Sequence, residues 1–346
     1  SFPNNSNLNR LFAINSEQDF TMTFMTRLKT SASDLARHAV GAAFGVALTA
    51  ALVGSLPTTA LAQTPAAAAS TPAPRAEGNG PALWVVRDAD STLYLFGTVH
   101  VLRPTTAWGS DTVDAAFDSA SRLILEVANP DDQAAAMPLI MQYGISPETP
   151  LSSLLTADEL AALDVAAKSI GLSAAQMDPM RPWLAALTLS VAPLTKAGYD
   201  PTSGVDLLLK ARAEASGKTV TGFETLDEQI SILATFPEAG QLTFLRSTLE
   251  DFEDATVELD KLVTAWAGGD IEAIETIGVQ PMRDASELMY QALLVDRNAN
   301  WAGQIETLLE GSGTVFIAVG AAHLAGDDSV QSILAARGVT VERVPN

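Results

Sequence analysis

The sequence predicts an α/β fold: a central mixed β-sheet flanked by helices, with a large helical insertion between the first and last strand groups. Three observations predict it. Short apolar runs of strand character stand at both ends of residues 81–346. The long stretch between them has helical punctuation. Two of the end strands run into one shared pattern, Gly-x-x-His. Of 346 residues, 47% are hydrophobic and 18% charged, enough for a packed core and too apolar for a disordered chain.

Residues 1–80 are not expected to belong to the fold. Residues 1–21 are polar and aperiodic and read as an upstream extension, with translation expected to start at Met22 or Met25. Residues 22–62 have the order of a secretory signal peptide. Arg27, Lys29 and Arg37 give a basic region, Ala39–Leu56 an apolar stretch, and Ala60-Leu61-Ala62 a small-x-small cleavage site. If uncleaved, the same stretch sits at the lower length limit for a membrane anchor. Residues 63–80, rich in Ala and Pro, read as a linker, leaving 81–346 as one domain. The expected location is therefore exported and periplasmic, with no stable membrane insertion once the signal is cut.

Within the domain, Leu83–Val86 and Thr92–Phe96 alternate as strands around the turn residues Asp88–Ser91, which predicts a hairpin. A helical stretch over Val113–Ser121 leads into Leu123–Val127, a buried strand. Residues 155–217 read as helical almost throughout, with Thr156 and Glu159 as a capping box. Gly204–Ala215 is a further helix, followed by a strand over Lys218–Phe223. Residues 226–311 are again mainly helical. The end reads as strand Thr314–Val319, helix Ser329–Ala336 and strand Val339–Val344.

The chain carries 20 basic and 41 acidic residues, a net charge of −21, which excludes a nucleic-acid backbone as the main partner. Without cysteine there is no disulfide, thiolate metal site or cysteine nucleophile. Of three histidines, His38 falls in the signal, leaving His100 and His323. Each follows an apolar strand and a glycine by three residues. That puts both at the carboxyl end of a strand, the edge where open α/β sheets bind ligands. A lone histidine of this kind would more often be a packed, hydrogen-bonded one; the duplicated context favours function.

Glu126, inside the apolar run Leu123–Val127, is costly to bury unless paired or metal-bound. Two imidazoles and a carboxylate together have the make-up of a two-histidine-one-carboxylate metal site. Glu224 sits at another strand end with Gln229 five residues on. Arg103, three residues after His100, and Arg297 are cations that could orient a substrate. Asp206, near a helix start, reads as a dipole partner rather than a ligand. Arg181-Pro182-Trp183 and Trp266 read as packing. No Gly-x-Ser-x-Gly, His-Glu-x-x-His or P-loop motif is present.

These blocks, taken in order from Ala82-Leu83-Trp84-Val85 and Gly97-Thr98-Val99-His100 through Leu123-Ile124-Leu125-Glu126, resemble the TraB/GumN family, which includes the TIKI metalloproteases. Gly204-Val205-Asp206, Phe223-Glu224-Thr225, Gln229, Arg297-Asn298 and Gly320-Ala321-Ala322-His323 continue the resemblance. It implies a fold akin to the erythromycin-esterase and ChaN-like group and a site made by both histidines and the glutamate. It also implies manganese- or cobalt-dependent peptide-bond cleavage in the TIKI-like members.

The expected function is thus a divalent-metal-dependent hydrolase of peptidase type. His100, Glu126 and His323 hold manganese or cobalt, with zinc as the alternative, and a peptide or protein is the substrate. Glu224 takes the proton of the activated water, and Arg297 or Arg103 orients substrate. The alternative is a non-catalytic periplasmic binding protein for a peptide, metal or haem that uses the same pocket.

Overall fold

The computed structural model describes residues 73–345. The extension, the signal-like segment with His38 and most of the linker lie outside the described residues. Six strands form one sheet in the order β4-β3-β5-β2-β1-β6. They are β1 (Leu83–Arg87), β2 (Ser91–Thr98), β3 (Arg122–Val127), β4 (Thr219–Glu224), β5 (Gly313–Gly320) and β6 (Val341–Arg343). β1 and β2 form the expected hairpin, in register Leu83 to Phe96, and Asp88 Oδ1 accepts from the Ser91 amide in its turn. β4, β3, β5 and β2 run parallel, while β1 is antiparallel to both of its neighbours. The sheet is mixed, as expected. The last strand is shorter than the sequence pattern suggested, three residues against β1.

Alternation divides each strand between two cores. One face turns Phe96, Leu123, Leu125 and Phe316 towards helices α1 (Asp111–Ser119) and α5 (Val205–Ala215) and the helical insertion. The insertion comprises α2 (Gln133–Gly144), α3 (Ala157–Ser169) and α4 (Pro182–Lys196). It continues after α5 with α6 (Leu226–Ala234), α7 (Glu238–Glu250) and α8 (Ala255–Ala267). The capping box at Thr156 and Glu159 opens α3. The other face turns Leu93, Leu95, Ile124 and Ile317 towards α9 (Asp296–Leu309) and α10 (Val330–Ala336). The inner strands β2, β3 and β5 are therefore buried on both sides, which is why they read as nearly continuous apolar runs, whereas the edge strand β4 is largely open on one side.

β5 lies between β2 and β3, though it follows both by more than 180 residues in the chain. That insertion is what brings the two Gly-x-x-His motifs side by side, with Gly97 opposite Val319 and Thr98 opposite Gly320. The sheet's carboxyl edge then presents the ends of β2, β3, β4 and β5 together. Gly97 permits the approach: a Cβ there would sit 3.0 Å from the Ala321 Cα.

Candidate functional site

His100 leaves the end of β2, and the turn after it is pinned to the start of α5. The Val205 amide donates to the Val99 carbonyl at 3.0 Å. A Cβ on Gly204 would come within 2.2 Å of the His100 carbonyl oxygen, so only glycine lets these segments meet. Their meeting delivers Asp206, in the first turn of α5, to His100. His100 Nδ1–H donates to Asp206 Oδ2 at 2.7 Å, and the Thr98 hydroxyl donates to Asp206 Oδ1 at 2.7 Å. This corrects the sequence reading of Asp206: the buried carboxylate is the partner of a histidine, not a mere complement to the helix dipole.

His323 sits in a single 3-10 turn, Ala321–Leu324, that follows β5 directly. Its ring is fully buried and lies 4.4 Å, centroid to centroid, from Trp301. Nδ1–H donates to Asn298 Oδ1 at 2.6 Å, and Asn298 Nδ2 donates in turn to the Asp328 carbonyl. Asn298 belongs to α9, along with Arg297 and Trp301. Spacings of three and four residues put all three side chains on one helix face. A π-helical segment, Gln291–Val295, immediately precedes α9, and its Leu293 carbonyl accepts from Arg297 Nη1.

Glu126 projects from β3 between the histidines. Its Oε1 accepts from the Gly320 amide at 2.7 Å and stands 3.8 Å from His100 Nε2 and 3.7 Å from His323 Nε2. Its Oε2 accepts from Arg297 Nη2 at 2.6 Å and from Gln229 Nε2 at 3.1 Å. Glu224, at the end of β4, receives Arg297 Nε and Nη2 together with Trp301 Nε1 and Gln229 Nε2. A buried guanidinium thus holds two buried carboxylates, the planar fork geometry that suits arginine.

Of the expected site residues, His100, Glu126, His323, Glu224 and Arg297 meet in one buried cluster. Glu224 stands behind Arg297 as its counter-ion, its oxygens already engaged, rather than as an open base. Arg103 does not join them. Its guanidinium pairs with Asp260 and stacks over Tyr199 at 4.3 Å, because the backbone bridge between Leu102 and Asp200 turns the loop after His100 towards α4 and α8. Trp266 is more than packing, since its indole N–H donates to the Gly97 carbonyl at 2.7 Å. The roles of Asn298 and Trp301 were not read from the sequence. Their spacing to Arg297 was the available signal.

The two imidazoles are driven apart electrostatically. Burial alone would lower the pKa of His100, but the charge and hydrogen bond of Asp206, with Glu126 behind, overcome it and raise the value to about 9. His323 is held well below the ordinary range, first by burial, then by repulsion from Arg297 and His100.

The donor chemistry suits a divalent ion in part. Both Nδ1 atoms are committed to acceptors, which leaves each Nε2 directed at Glu126 Oε1, the second-layer arrangement that orients metal-binding imidazoles. His100 Nε2 is buried without a hydrogen-bond partner among the described residues. Against this, Arg297 Nη1 lies 3.2 Å from His323 Nε2, and no group of three or more His, Cys, Asp or Glu has metal-holding spacing among the described residues.

A model of the TraB/PrgY/gumN family matches residues 82–343. The chain belongs to this family. An uncharacterized protein of Treponema pallidum (strain Nichols) is 22% identical over 267 residues, covering 73% of this chain and 80% of the relative. The uncharacterized protein YbaP of Escherichia coli (strain K12) is 23% identical over 261 residues, covering 73% of this chain and 92% of its own length. YbaP of Shigella flexneri is similar to the same extent. No solved structure matches the chain significantly. The family block spans all five clustered residues and every strand of the sheet.

Proposed function

We propose that the chain is a divalent-metal-dependent hydrolase of peptide bonds that works outside the cytoplasm. The observation that carries this reading is the convergence of His100 Nε2 and His323 Nε2 on one oxygen of Glu126, with both Nδ1 atoms already occupied. Manganese or cobalt, or zinc as the alternative, held by His100, Glu126 and His323 would supply a Lewis acid and a water of lowered pKa. The chain's own residues do the rest. Asp206 and Asn298 fix the ring orientations. The Gly320 amide fixes Glu126. Arg297, with Nη1 beside His323 Nε2, is the donor best placed to hold negative charge developing on a substrate oxygen. Location outside the cytoplasm rests on the leader-like order of residues 22–62. Among the described residues no helix is long and apolar enough to cross a membrane.

One observation favours a second, metal-free reading. Arg297 Nη1 donates to the Nε2 lone pair of His323 that a metal would use. In that reading Arg297 Nη1 turns from His323 Nε2 to the substrate oxygen, neutral His323 then accepts a proton from water at Nε2, and protonated His100 gives one to the leaving amine.

Elemental analysis of the purified full chain, beside the His100→Ala/His323→Ala variant, decides between them. The expected result is near-stoichiometric metal, lost in the variant, with peptide cleavage that a chelator abolishes and manganese or cobalt restores. Chelator-insensitive cleavage without metal would establish the acid–base pair instead. Saturable peptide or metal binding with no cleavage would make the chain a binding protein.

A further inference from the structure

The helical insertion contains a cavity of about 220 Å³ that no part of the site above uses. A water molecule occupies about 30 Å³, so the space suits a guest the size of one amino-acid residue. Helices α4 and α7 both begin at it, through Arg181 and Pro182 and through Glu238 and Gln241. Neither start carries a side-chain cap, so the positive ends of two helix dipoles face the same space.

The side chains add three independent features. Arg181 lines the cavity and its guanidinium has no hydrogen-bond or ion-pair partner among the described residues, although the exposed Glu238 lies on the same rim. Gln241 is only 5% exposed. Its Nε2 donates to the Ala234 and Phe236 carbonyls at 3.3 and 2.8 Å, which fixes the amide and leaves Oε1, within reach of solvent, without a protein donor among the described residues. Leu154 and Phe236 give apolar wall, and Ser146 adds a hydroxyl. A cation, an unanswered acceptor and an apolar wall ask for a carboxylate, an N–H and an apolar side chain in one small guest.

We propose that this cavity binds the carboxyl-terminal residue of a peptide, with its carboxylate on Arg181, its amide N–H on Gln241 Oε1 and its side chain against Phe236 and Leu154. The proposal does not rest on the hydrolase reading. It does connect with the site. α6 carries Gln229 to Glu126 near its start and Ala234 to the cavity at its end, five residues or about 7–8 Å along the helix axis.

Calorimetric titration of the full chain with N-acetyl-L-leucine and N-acetyl-L-leucinamide tests it. The acid should bind saturably in the millimolar range or tighter, and the amide at least about tenfold more weakly. Arg181→Gln should reduce the acid to the level of the amide while melting as the wild type does, since the guanidinium holds no bond in the fold. Absence of saturable binding, equal affinity for the two compounds, or wild-type affinity in Arg181→Gln would each overturn the proposal. The last result would mean that the carboxylate is held elsewhere than on Arg181.

Discussion

His100 and His323 occupy the same motif at the ends of adjacent parallel strands, yet their surroundings are opposite. His100 leans on a carboxylate, Asp206, and is drawn towards the protonated form; His323 leans on a neutral amide, Asn298, with an arginine at its other nitrogen, and is drawn towards the neutral form. Equal motifs therefore do not make equal groups. The strand and glycine set where the imidazole stands; burial acts on both rings, Asp206 overcomes it at His100, and Arg297 and His100 reinforce it at His323. Glu126 faces both and Arg297 balances the whole, so each side can be perturbed separately.

The largest effect should come from Arg297, which holds both sides together. Arg297→Met leaves Glu126 and Glu224 buried without their cation and should cost about 3–5 kcal/mol of unfolding free energy in urea titration. Adding Glu224→Gln should recover part of the loss, because one of the two stranded charges is gone. A loss below about 1 kcal/mol in the single variant would mean that the guanidinium is not the centre of the cluster.

Asp206→Asn comes next and removes the asymmetry from the His100 side. A folded-state pKa of about 9 against an ordinary 6.5 means that His100 stabilises the metal-free fold fully below about pH 6.5 and loses that contribution as pH rises through 9. The gap corresponds to roughly 3 kcal/mol. In Asp206→Asn the His100 imidazole resonances should titrate well below 9 by NMR, and the part of the stability difference that depends on His100 protonation should fade as pH rises through 9. An unchanged titration would locate the cause elsewhere. The same raised pKa implies that metal uptake near pH 7.5 releases about one proton, readable in a pH-stat.

Asn298→Asp probes the other side with a single-atom change. It places an acid behind His323 as Asp206 stands behind His100, and the His323 pKa should rise towards the ordinary range. Asn298→Ala leaves Nδ1 and the Asp328 carbonyl unpaired and should cost about 1–3 kcal/mol. If neither variant alters the His323 titration, burial and the charges of Arg297 and His100 set it without Asn298.

The histidines and Glu126 were legible in the sequence because each breaks a local rule. Gly-x-x-His ends an apolar strand twice, and Glu126 interrupts a run that is otherwise all aliphatic. The sheet was legible for the same reason, since strands buried on both faces read as apolar runs with sharp ends. Apart from Arg297, partners on helices were not. Asp206 in the first turn of α5 has an ordinary local explanation as a dipole partner, and only the close approach of Gly204 to His100 shows otherwise. The strand order was equally out of reach. That β5 enters between β2 and β3 depends on how the insertion packs, which no local pattern encodes.

The smallest expected effect concerns the residue that the sequence placed beside His100 and the fold did not. Arg103, with its partner Asp260, is about a third to a half exposed, and solvent screens such a pair. Arg103→Ala should therefore cost no more than about 1 kcal/mol, lost contact with the Tyr199 ring included. It should also leave the His100 titration near 9, because no bond joins the two residues and Asp206 stays in place. The loop after His100 keeps its backbone bridge, in which the Asp200 amide donates to the Leu102 carbonyl at 2.9 Å, whether or not the arginine is present. A titration moved by a full unit would mean that the Arg103 and Asp260 pair positions His100 through that loop. The contrast between the two histidines would then extend beyond their immediate partners.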